Sequence, residues 1–246
     1  MPLYLTIDQG NSAAKMALWR DSEPIDEHIA PRLTPDVIAH FLEPHDRLKA
    51  AIYCSVASHG TEAVAALSNF AQRVMRLSSE IRLPIQIEYG TPGSLGADRI
   101  AAAVGARAVC PDAPLLVVDA GTAVTYDHVT ADGRFVGGNI APGMNMRLEA
   151  LHRFTARLPR VEVPREIPRG SFLGHDTSSA MILGAVYGIV GSISYYKQHL
   201  PEQTRVVMTG GWARELSQLV DFDVIVEPNL VSKGLNRILL YNENND

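Results

Sequence analysis

An internal repeat constrains this chain more than any other feature of its sequence. The first copy is LYLTIDQGNSAAKMALW, from Leu3 to Trp19, and the second is LLVVDAGTAVTYDHV, from Leu115 to Val129. In each copy an apolar, β-rich run ends in Asp-x-Gly with small polar residues, and a second apolar run follows. This pattern predicts a strand, a tight turn and a second strand. The aligned positions are Asp8 with Asp119, Gly10 with Gly121, and Asn11 with Thr122.

Similar elements follow each copy and predict a duplicated α/β fold. After the first hairpin we expect a helix capped by Thr34, a strand at AAIYCSV and a helix from Thr61 to Val74. After the second we expect a strand at RFVGGNI, helices at 145–154 and 177–199, a strand at RVVMTGG and a helix from Trp212 to Val220. Two β-β-β-α-β-α copies with a cleft between them are the natural interpretation. The proline-rich CPDAP at 110–114 divides the chain into 1–112 and 113–246.

Composition narrows the class of protein. The chain has 246 residues, a formal net charge of −5 and 46% hydrophobic residues, which is typical of a globular protein with a core. The acidic balance argues against a general nucleic-acid or anionic-membrane binder. Residues 177–196 carry no charge, but their Ser, Thr and Gly content favours a buried helix over a membrane span. The N-terminus lacks signal-peptide features, and Cys54 and Cys110 are predicted to be buried and reduced, so we expect a cytoplasmic protein.

The Asp-x-Gly turns predict a nucleotide-phosphate site. Such a turn exposes backbone N–H groups and short polar side chains that suit phosphate oxygens. The aspartate repels phosphate, so Asp8 is better placed as a ligand of the cation that accompanies ATP, and Lys15 supplies a compensating charge. One such turn is typical of an ordinary β-turn, whereas two matched copies at strand ends indicate a paired site. P-loop, dinucleotide-binding and GxSxG motifs are absent from the sequence, and its histidines are scattered.

Two further segments keep alternative interpretations open. The glycines of MTGGWAREL either let an adenine or ribose lie against the backbone or form a plain strand-to-helix turn. Asp98 and Arg99 follow a Gly-, Pro- and Ser-rich loop at the start of an alanine-rich helix. Asp98 is either a helix-capping acid or a carboxylate that accepts the proton of an attacking hydroxyl, with Arg99 gripping an anionic group.

Together these residues resemble the type III pantothenate kinases over nearly the whole chain. The resemblance is carried by these motifs: DQGNSAAK at 8–15, LGADR at 95–99, DAGTAVTYD at 119–127, GGNIAPG at 137–143, TARLP at 155–159 and GHDTSSAM at 174–181. It implies a duplicated actin-like ATPase (ribonuclease H-like) fold, with two mixed-sheet domains flanking a nucleotide cleft. It also implies ATP-dependent phosphorylation of pantothenate to 4'-phosphopantothenate, the first step of coenzyme A biosynthesis.

The resemblance also implies roles for individual residues. The ATP-binding positions would be Asp8, Gln9, Gly10, Asn11, Ser12, Ala13, Ala14, Lys15 and Thr122. The pantothenate-binding positions would be Tyr89, Gly96, Ala97, Asp98, Arg99 and Thr177, with Asp98 as the general base. The metal ligands would be Asp8, near Mg²⁺, and Asp119, for a monovalent cation, K⁺ or NH₄⁺. The family is homodimeric, with a substrate pocket completed at the subunit interface, and Gly184, Gly188 and Gly191 would permit close packing within or between subunits.

Departures from the family pattern are small, and alternative functions can be stated. Ser12 stands where threonine is commoner and keeps the hydroxyl, and Gln9 stands where an apolar residue is usual. Its side chain is expected to point away from the phosphates. The alternatives are another small-molecule kinase of the actin-like superfamily, a non-catalytic regulator like the Bvg accessory factors, and an actin-like filament scaffold.

Overall fold

A computed structural model describes residues 1–10, 13–55, 61–78, 80–164, 167 and 171–244, apart from the side chains of residues 61 and 63. The strands are β1 (Leu3–Gln9), β2 (Ala14–Arg20), β3 (Glu23–Ala30), β4 (Leu48–Ser55), β5 (Ala71–Arg76), β6 (Gln86–Ile87), β7 (Leu115–Ala120), β8 (Ala123–Val129), β9 (Arg134–Pro142), β10 (Arg205–Thr209) and β11 (Val224–Val226). The helices are α1 (Pro35–Leu42), α2 (Thr61–Ala66), α3 (Ala97–Val109), α4 (Met144–Phe154), α5 (Thr177–His199), α6 (Ala213–Ser217) and α7 (Leu230–Glu243). The predicted α/β class and the strand–turn–strand form of both copies are confirmed.

The chain divides into two compact units. The first contains Met1–Pro111, Gly133–Phe135 and Asn229–Asp246, and the second contains Asp112–Asp132 and Val136–Pro228. The sequence divides the chain once, between residues 112 and 113. The first unit, by contrast, also takes in the C-terminal helix α7, which the sequence analysis did not predict.

The sheet of the first unit has the strand order β3-β2-β1-β4-β5. Strand β1 is antiparallel to β2 and parallel to β4, so the first hairpin lies at the centre of this sheet. The two strands of this hairpin are almost continuously buried. Helix α1 packs Ile38 and Phe41 into the same core. Thr34 caps α1 as predicted, because its hydroxyl accepts a hydrogen bond from the Val37 N–H at 3.2 Å.

Helices α3 and α7 cross at very short range in the first unit. A Cβ at Gly105 would overlap the Leu230 carbonyl, and a Cβ at Gly234 would overlap the Ala101 carbonyl. Glycine is therefore required on both helices for the backbones to approach this closely. The contact holds the middle of α3, around Ala101 and Gly105, against α7.

The second sheet runs β11-β10-β7-β8-β9-β6. Strand β7 is parallel to β10 and antiparallel to β8, which repeats the arrangement around β1. Strand β6 pairs with Arg134 and Phe135 at the start of β9, two residues that belong to the first unit. The duplication predicted from the two copies is thus present in strand directions as well as in sequence.

Helix α5 supplies much of the core of the second unit. It begins with a capping box in which the Asp176 carboxylate accepts from the Ser179 N–H at 3.0 Å. Its buried side chains, among them Val186, Ile189 and Ile193, pack with β7, β8 and β10 residues in one cluster. By length and composition α5 is also apolar enough to cross a membrane, a weak indication because core helices of soluble proteins pass the same test.

Some sequence predictions are wrong in detail. The helix predicted from Thr61 to Val74 ends at Ala66, and residues 71–76 form β5, because that segment completes the sheet by pairing in parallel with β4. The helix predicted from Trp212 to Val220 is shorter and spans Ala213–Ser217. Both cysteines are free thiols, but only Cys54 is buried, because Cys110 lies at the partly exposed C-cap of α3.

Candidate active site

The carboxylate of Asp8 is the centre of the site in the first unit. Asp8 is the penultimate residue of β1, and its strand partners are Lys15 on β2 and Cys54 on β4. Partnered residues on neighbouring strands project from the same face of a sheet, so the three side chains form a row. The Cys54 thiol donates a hydrogen bond to Asp8 Oδ1, with a sulfur–oxygen distance of 3.4 Å.

The surroundings of Asp8 shift the pKa of its carboxyl in opposite directions. Burial raises the pKa of the Asp8 carboxyl above its ordinary value of 3.8, and the negative charge of Asp98 raises that pKa further. The hydrogen bond from Cys54 and the positive charge of Lys15 lower the Asp8 pKa. Burial, followed by the charge of Asp8, raises the pKa of the Cys54 thiol well above 9.0. The thiol therefore stays protonated at neutral pH and remains a donor.

The turn of the first hairpin is closed by its backbone. The Gly10 N–H donates to the Ala13 carbonyl at 3.0 Å. Gln9 is buried, and its Oε1 accepts from the Ser55 hydroxyl at 3.4 Å on the face opposite Asp8. Gln9 and Asp8 therefore project from opposite faces of β1. Asn11 and Ser12, predicted to bind phosphate, lie outside the described residues.

The predicted acceptor loop places Asp98 at the start of α3. Gly96 is the N-cap residue, and no side chain caps this end of the helix. Asp98 Oδ1 instead accepts a hydrogen bond from the Arg99 N–H at 2.9 Å. The Asp98 carboxylate lies so close to Gly96 that a Cβ at residue 96 would overlap it. Asp98 therefore does not cap α3 in the usual sense, and a glycine at 96 is needed for its position. The negative charge of Asp98 acts on the first hairpin, because it raises the pKa of Asp8.

Arg99 is a buried cation held between two aromatic rings. Only 5% of the residue is exposed, and its guanidinium carbon lies 5.6 Å from the ring centroids of both Tyr89 and Phe135. The two rings meet edge to face with centroids 6.1 Å apart. Cation–π contacts of this kind fix a guanidinium in one position. The sequence singled out Arg99 and Tyr89 but missed Phe135, because an aromatic residue in a strand carries no signal beyond β-propensity.

The second unit contains three of the predicted site residues, Asp119, Thr122 and Thr177. Asp119 is the penultimate residue of β7, and its strand partners are Thr125 on β8 and Thr209 on β10. Thr122 is exposed in the turn, and its carbonyl accepts from the Gly143 N–H at 3.1 Å. Thr177, predicted to bind substrate, is the exposed first residue of α5.

The MTGG segment closes tightly on the end of β7. Gly210 has a φ of 92°, in the left-handed region, and a Cβ there would overlap the Ala120 backbone and the Asp119 carboxylate. The Trp212 N–H donates to the Ala120 carbonyl at 3.2 Å. Gly210 therefore has a structural reason to be glycine. Gly211, in contrast, has no described atom within 4 Å of where its Cβ would be.

The site offers few protein ligands to a metal ion. Within the described part of the chain, no three His, Cys, Asp or Glu side chains gather in a group that could hold one. Mg²⁺ in nucleotide enzymes is commonly held by one or two carboxylates together with phosphate oxygens and water. Asp8 is a single half-buried carboxylate whose burial reduces its solvation. It therefore fits that mode of metal binding.

The chain is similar to known proteins in both sequence and structure. A type III pantothenate kinase of Porphyromonas gingivalis is 38% identical over 245 residues, covering 98% of this chain and 100% of that protein. A structure from Campylobacter jejuni, described as that of a Baf family transcriptional activator, has a TM-score of 0.64 at 24% identity and covers 98% of this chain and 99% of its own. Component A of the (R)-2-hydroxyglutaryl-CoA dehydratase of Acidaminococcus fermentans has a TM-score of 0.55 at 16% identity and covers 100% and 99%.

The structural likenesses confirm the predicted actin-like α/β fold, and the sequence decides the family. The family model described as type III pantothenate kinase matches residues 4–199. That match extends from the first hairpin through the acceptor loop and the second hairpin to the end of α5. By this match and by its full-length similarity to a curated member, the chain belongs to the type III pantothenate kinase family.

Proposed function

We propose that this protein transfers the γ-phosphoryl group of ATP to the hydroxyl of pantothenate, giving 4'-phosphopantothenate for coenzyme A biosynthesis. Membership of the family supports this proposal. The single structural observation that carries it is that the first unit holds two carboxylates, Asp8 near the end of β1 and Asp98 at the start of α3, with the charge of Asp98 raising the pKa of Asp8. One suits the cation of the nucleotide, and the other suits the hydroxyl that attacks.

On the acceptor side, Asp98 is the general base and Arg99 binds the carboxylate of pantothenate. Kinases gain mostly from positioning and charge stabilisation, so one aspartate that accepts the hydroxyl proton is sufficient. Arg99 is already fixed between Tyr89 and Phe135, so little side-chain entropy is lost when it binds an anion. Tyr89, Gly96, Ala97 and Thr177 are the further substrate positions in this proposal.

On the nucleotide side, Asp8 holds Mg²⁺, which when bound neutralises phosphate charge. Lys15 is the strand partner of Asp8, which supports a role for its ammonium group in binding the same phosphates. The remaining positions that we assign to ATP are Gln9, Gly10, Asn11, Ser12, Ala13, Ala14 and Thr122. Gln9 and Ala14 are buried strand residues, so any contact from them is made by the backbone.

The second hairpin has the chemistry of a monovalent-cation site. The strand partners of Asp119 are two threonines, so the carboxylate has neutral oxygen-bearing neighbours rather than a lysine. K⁺ and NH₄⁺ are held by such oxygens with one negative charge. We therefore assign the monovalent cation to Asp119.

We also propose that the protein is a cytoplasmic homodimer that binds neither nucleic acid nor membrane. Gly184 and Gly191 of α5 have no described atom within 4 Å of where a Cβ would lie, which leaves that surface open to close packing by a second copy. Gly188, in contrast, lies against the guanidinium of Arg147. The acidic net charge of −5 argues against a nucleic-acid partner.

The test is phosphorylation of pantothenate by purified protein with MgATP, in potassium and in sodium buffer. Potassium-stimulated formation of 4'-phosphopantothenate is the expected result. A panel of hydroxyl acceptors that includes a hexose serves as the control. Preference for a sugar over pantothenate would contradict the acceptor assignment and leave the fold and family unaffected.

A further inference from the structure

We propose that Cys54 is a positioning residue that orients the Asp8 carboxylate toward the nucleotide's metal ion. This inference rests on the proposed function, because the role of Asp8 as a metal ligand is part of it. Cys54 belongs to none of the motifs that carry the family resemblance, and it lies in β4, the strand that follows the first hairpin and its helix. Its sequence context, AAIYCSV, reads only as a buried strand.

The sheet geometry places the thiol beside the carboxylate. Strands β1 and β4 are parallel, and Asp8 and Cys54 are direct partners in their register. Cys54 is 1% exposed, and its sulfur lies 3.4 Å from Asp8 Oδ1, within hydrogen-bond range for a thiol donor. Both groups sit on rigid central strands, so the pair is held by the backbone on both sides.

The thiol occupies one side of the carboxylate, and Lys15 occupies the other. Lys15 is the partner of Asp8 on β2. Without a donor on the β4 side, the charge of Lys15 is free to turn the carboxylate toward β2. A hydrogen bond that engages Oδ1 leaves Oδ2 for a cation, which is how second-layer hydrogen bonds orient metal ligands elsewhere.

A packing role and a positioning role predict different results for matched variants. Cys54→Ala removes the donor, whereas Cys54→Ser keeps a hydroxyl donor at the same place. Since removal of a hydrogen bond behind a metal ligand typically costs 10–100-fold in metal affinity and a thiol is a weak donor, we expect Cys54→Ala to weaken Mn²⁺ binding to the protein–ATP complex roughly three- to tenfold. Cys54→Ser is expected to stay within about twofold of wild type, the ordinary range for a retained bond.

The measurements are Mn²⁺ affinity by electron paramagnetic resonance, in the presence of ATP and without pantothenate, and the Mg²⁺ concentration for half-maximal rate. The Michaelis constant for pantothenate is expected to be unchanged in Cys54→Ala. Ile52→Val is the control for packing, because Ile52 is 0% exposed on the same face of β4 two residues earlier. Cys110→Ala is the control for loss of a thiol elsewhere.

Equal Mn²⁺ affinity in Cys54→Ala and wild type would overturn the proposal. It would also be overturned if Ile52→Val weakened Mn²⁺ binding as much as Cys54→Ala, since the effect would then follow stability. Failure of the proposed function gives a separate result, because wild type would not phosphorylate pantothenate. In that case the Mn²⁺ comparison would still decide whether Cys54 orients Asp8.

Discussion

The two hairpins share one backbone pattern and differ in what surrounds the aspartate. In both, the aspartate is the penultimate residue of a strand that has an antiparallel neighbour on one side and a parallel neighbour on the other. The partners of Asp8 are Lys15 and Cys54, whereas those of Asp119 are Thr125 and Thr209. The duplicated fold therefore presents a carboxylate twice, once with a lysine and a cysteine as strand partners and once with two threonines.

We propose that this difference gives the two hairpins of the duplicated scaffold different functions. Backbone register fixes where each aspartate stands, and the side chains at its two partner positions differ between the hairpins. In this proposal the partner positions separate a site for the nucleotide's divalent metal from one for a monovalent cation. The acceptor loop adds a further difference between the hairpins, because the charge of Asp98 raises the pKa of Asp8.

The largest expected effect tests whether Asp98, in the same unit as the first hairpin, accepts the proton of the attacking hydroxyl. Asp98→Asn keeps the shape of the side chain but removes the base, so turnover is expected to fall roughly 10²-fold or more. Binding of ATP, measured by calorimetry, is expected to be retained. Asp46→Asn, a change at an exposed acid, is the control and leaves turnover unaltered. Near-normal turnover of Asp98→Asn would remove Asp98 from the role of base.

Replacing the antiparallel-strand partner of each aspartate by alanine tests the contrast between Lys15 and Thr125. Lys15→Ala is expected to raise the Michaelis constant for ATP about tenfold or more, because a bond from a charged donor contributes about 1.5–3 kcal/mol. Thr125→Ala, the matched change opposite Asp119, is expected to alter that constant less than about twofold, since no charge is lost. Equal effects of the two changes would mean that the hairpins do not differ as we propose.

Removal of the second carboxylate tests the assignment of the monovalent cation. Asp119→Asn is expected to abolish most of the difference between potassium and sodium buffer, lowering the potassium-stimulated rate several-fold, or about 1 kcal/mol in activation free energy. The Mg²⁺ requirement is expected to be retained in this variant. A potassium stimulation equal to that of wild type would refute the assignment.

The smallest expected effect concerns stability in the absence of ligands. Burial raises the pKa of Asp8, so the folded protein binds this proton more tightly than the unfolded chain does. The stability of wild type relative to Asp8→Asn therefore falls as pH rises from the ordinary value of 3.8 through the raised folded-state pKa, and stays lower above it.

Thermal unfolding without nucleotide or metal, from acid to neutral pH, checks this prediction. Asp8→Asn is expected to melt slightly above wild type at neutral pH and to converge with it in acid. Asp46→Asn, at an exposed position, serves as the comparison. A melting difference that is independent of pH would show that the Asp8 charge carries no cost in the folded state.

Much of the site follows from local sequence. Asp-x-Gly at the end of an apolar run predicted both hairpins, and the loop before an alanine-rich helix predicted the place of Asp98. The β5 segment was predicted as helix, because a strand at a sheet edge is defined by its pairing with β4 and not by its own residues. Helix α7 was missed although it packs closely against α3, because the glycines that allow the crossing, Gly105 and Gly234, carry no local signal of a partner.

The sequence by itself determined the duplication and the family, because both are written in short, ordered motifs, and it predicted the residues that we assign to ATP and pantothenate. Only the tertiary structure decided that Cys54 stands beside Asp8 and that Phe135 completes the aromatic surroundings of Arg99. Both contacts join residues far apart in the chain through strand register and sheet edges. Such contacts depend on which strands become neighbours, and that choice is made by burial of the whole core rather than by any local run of residues.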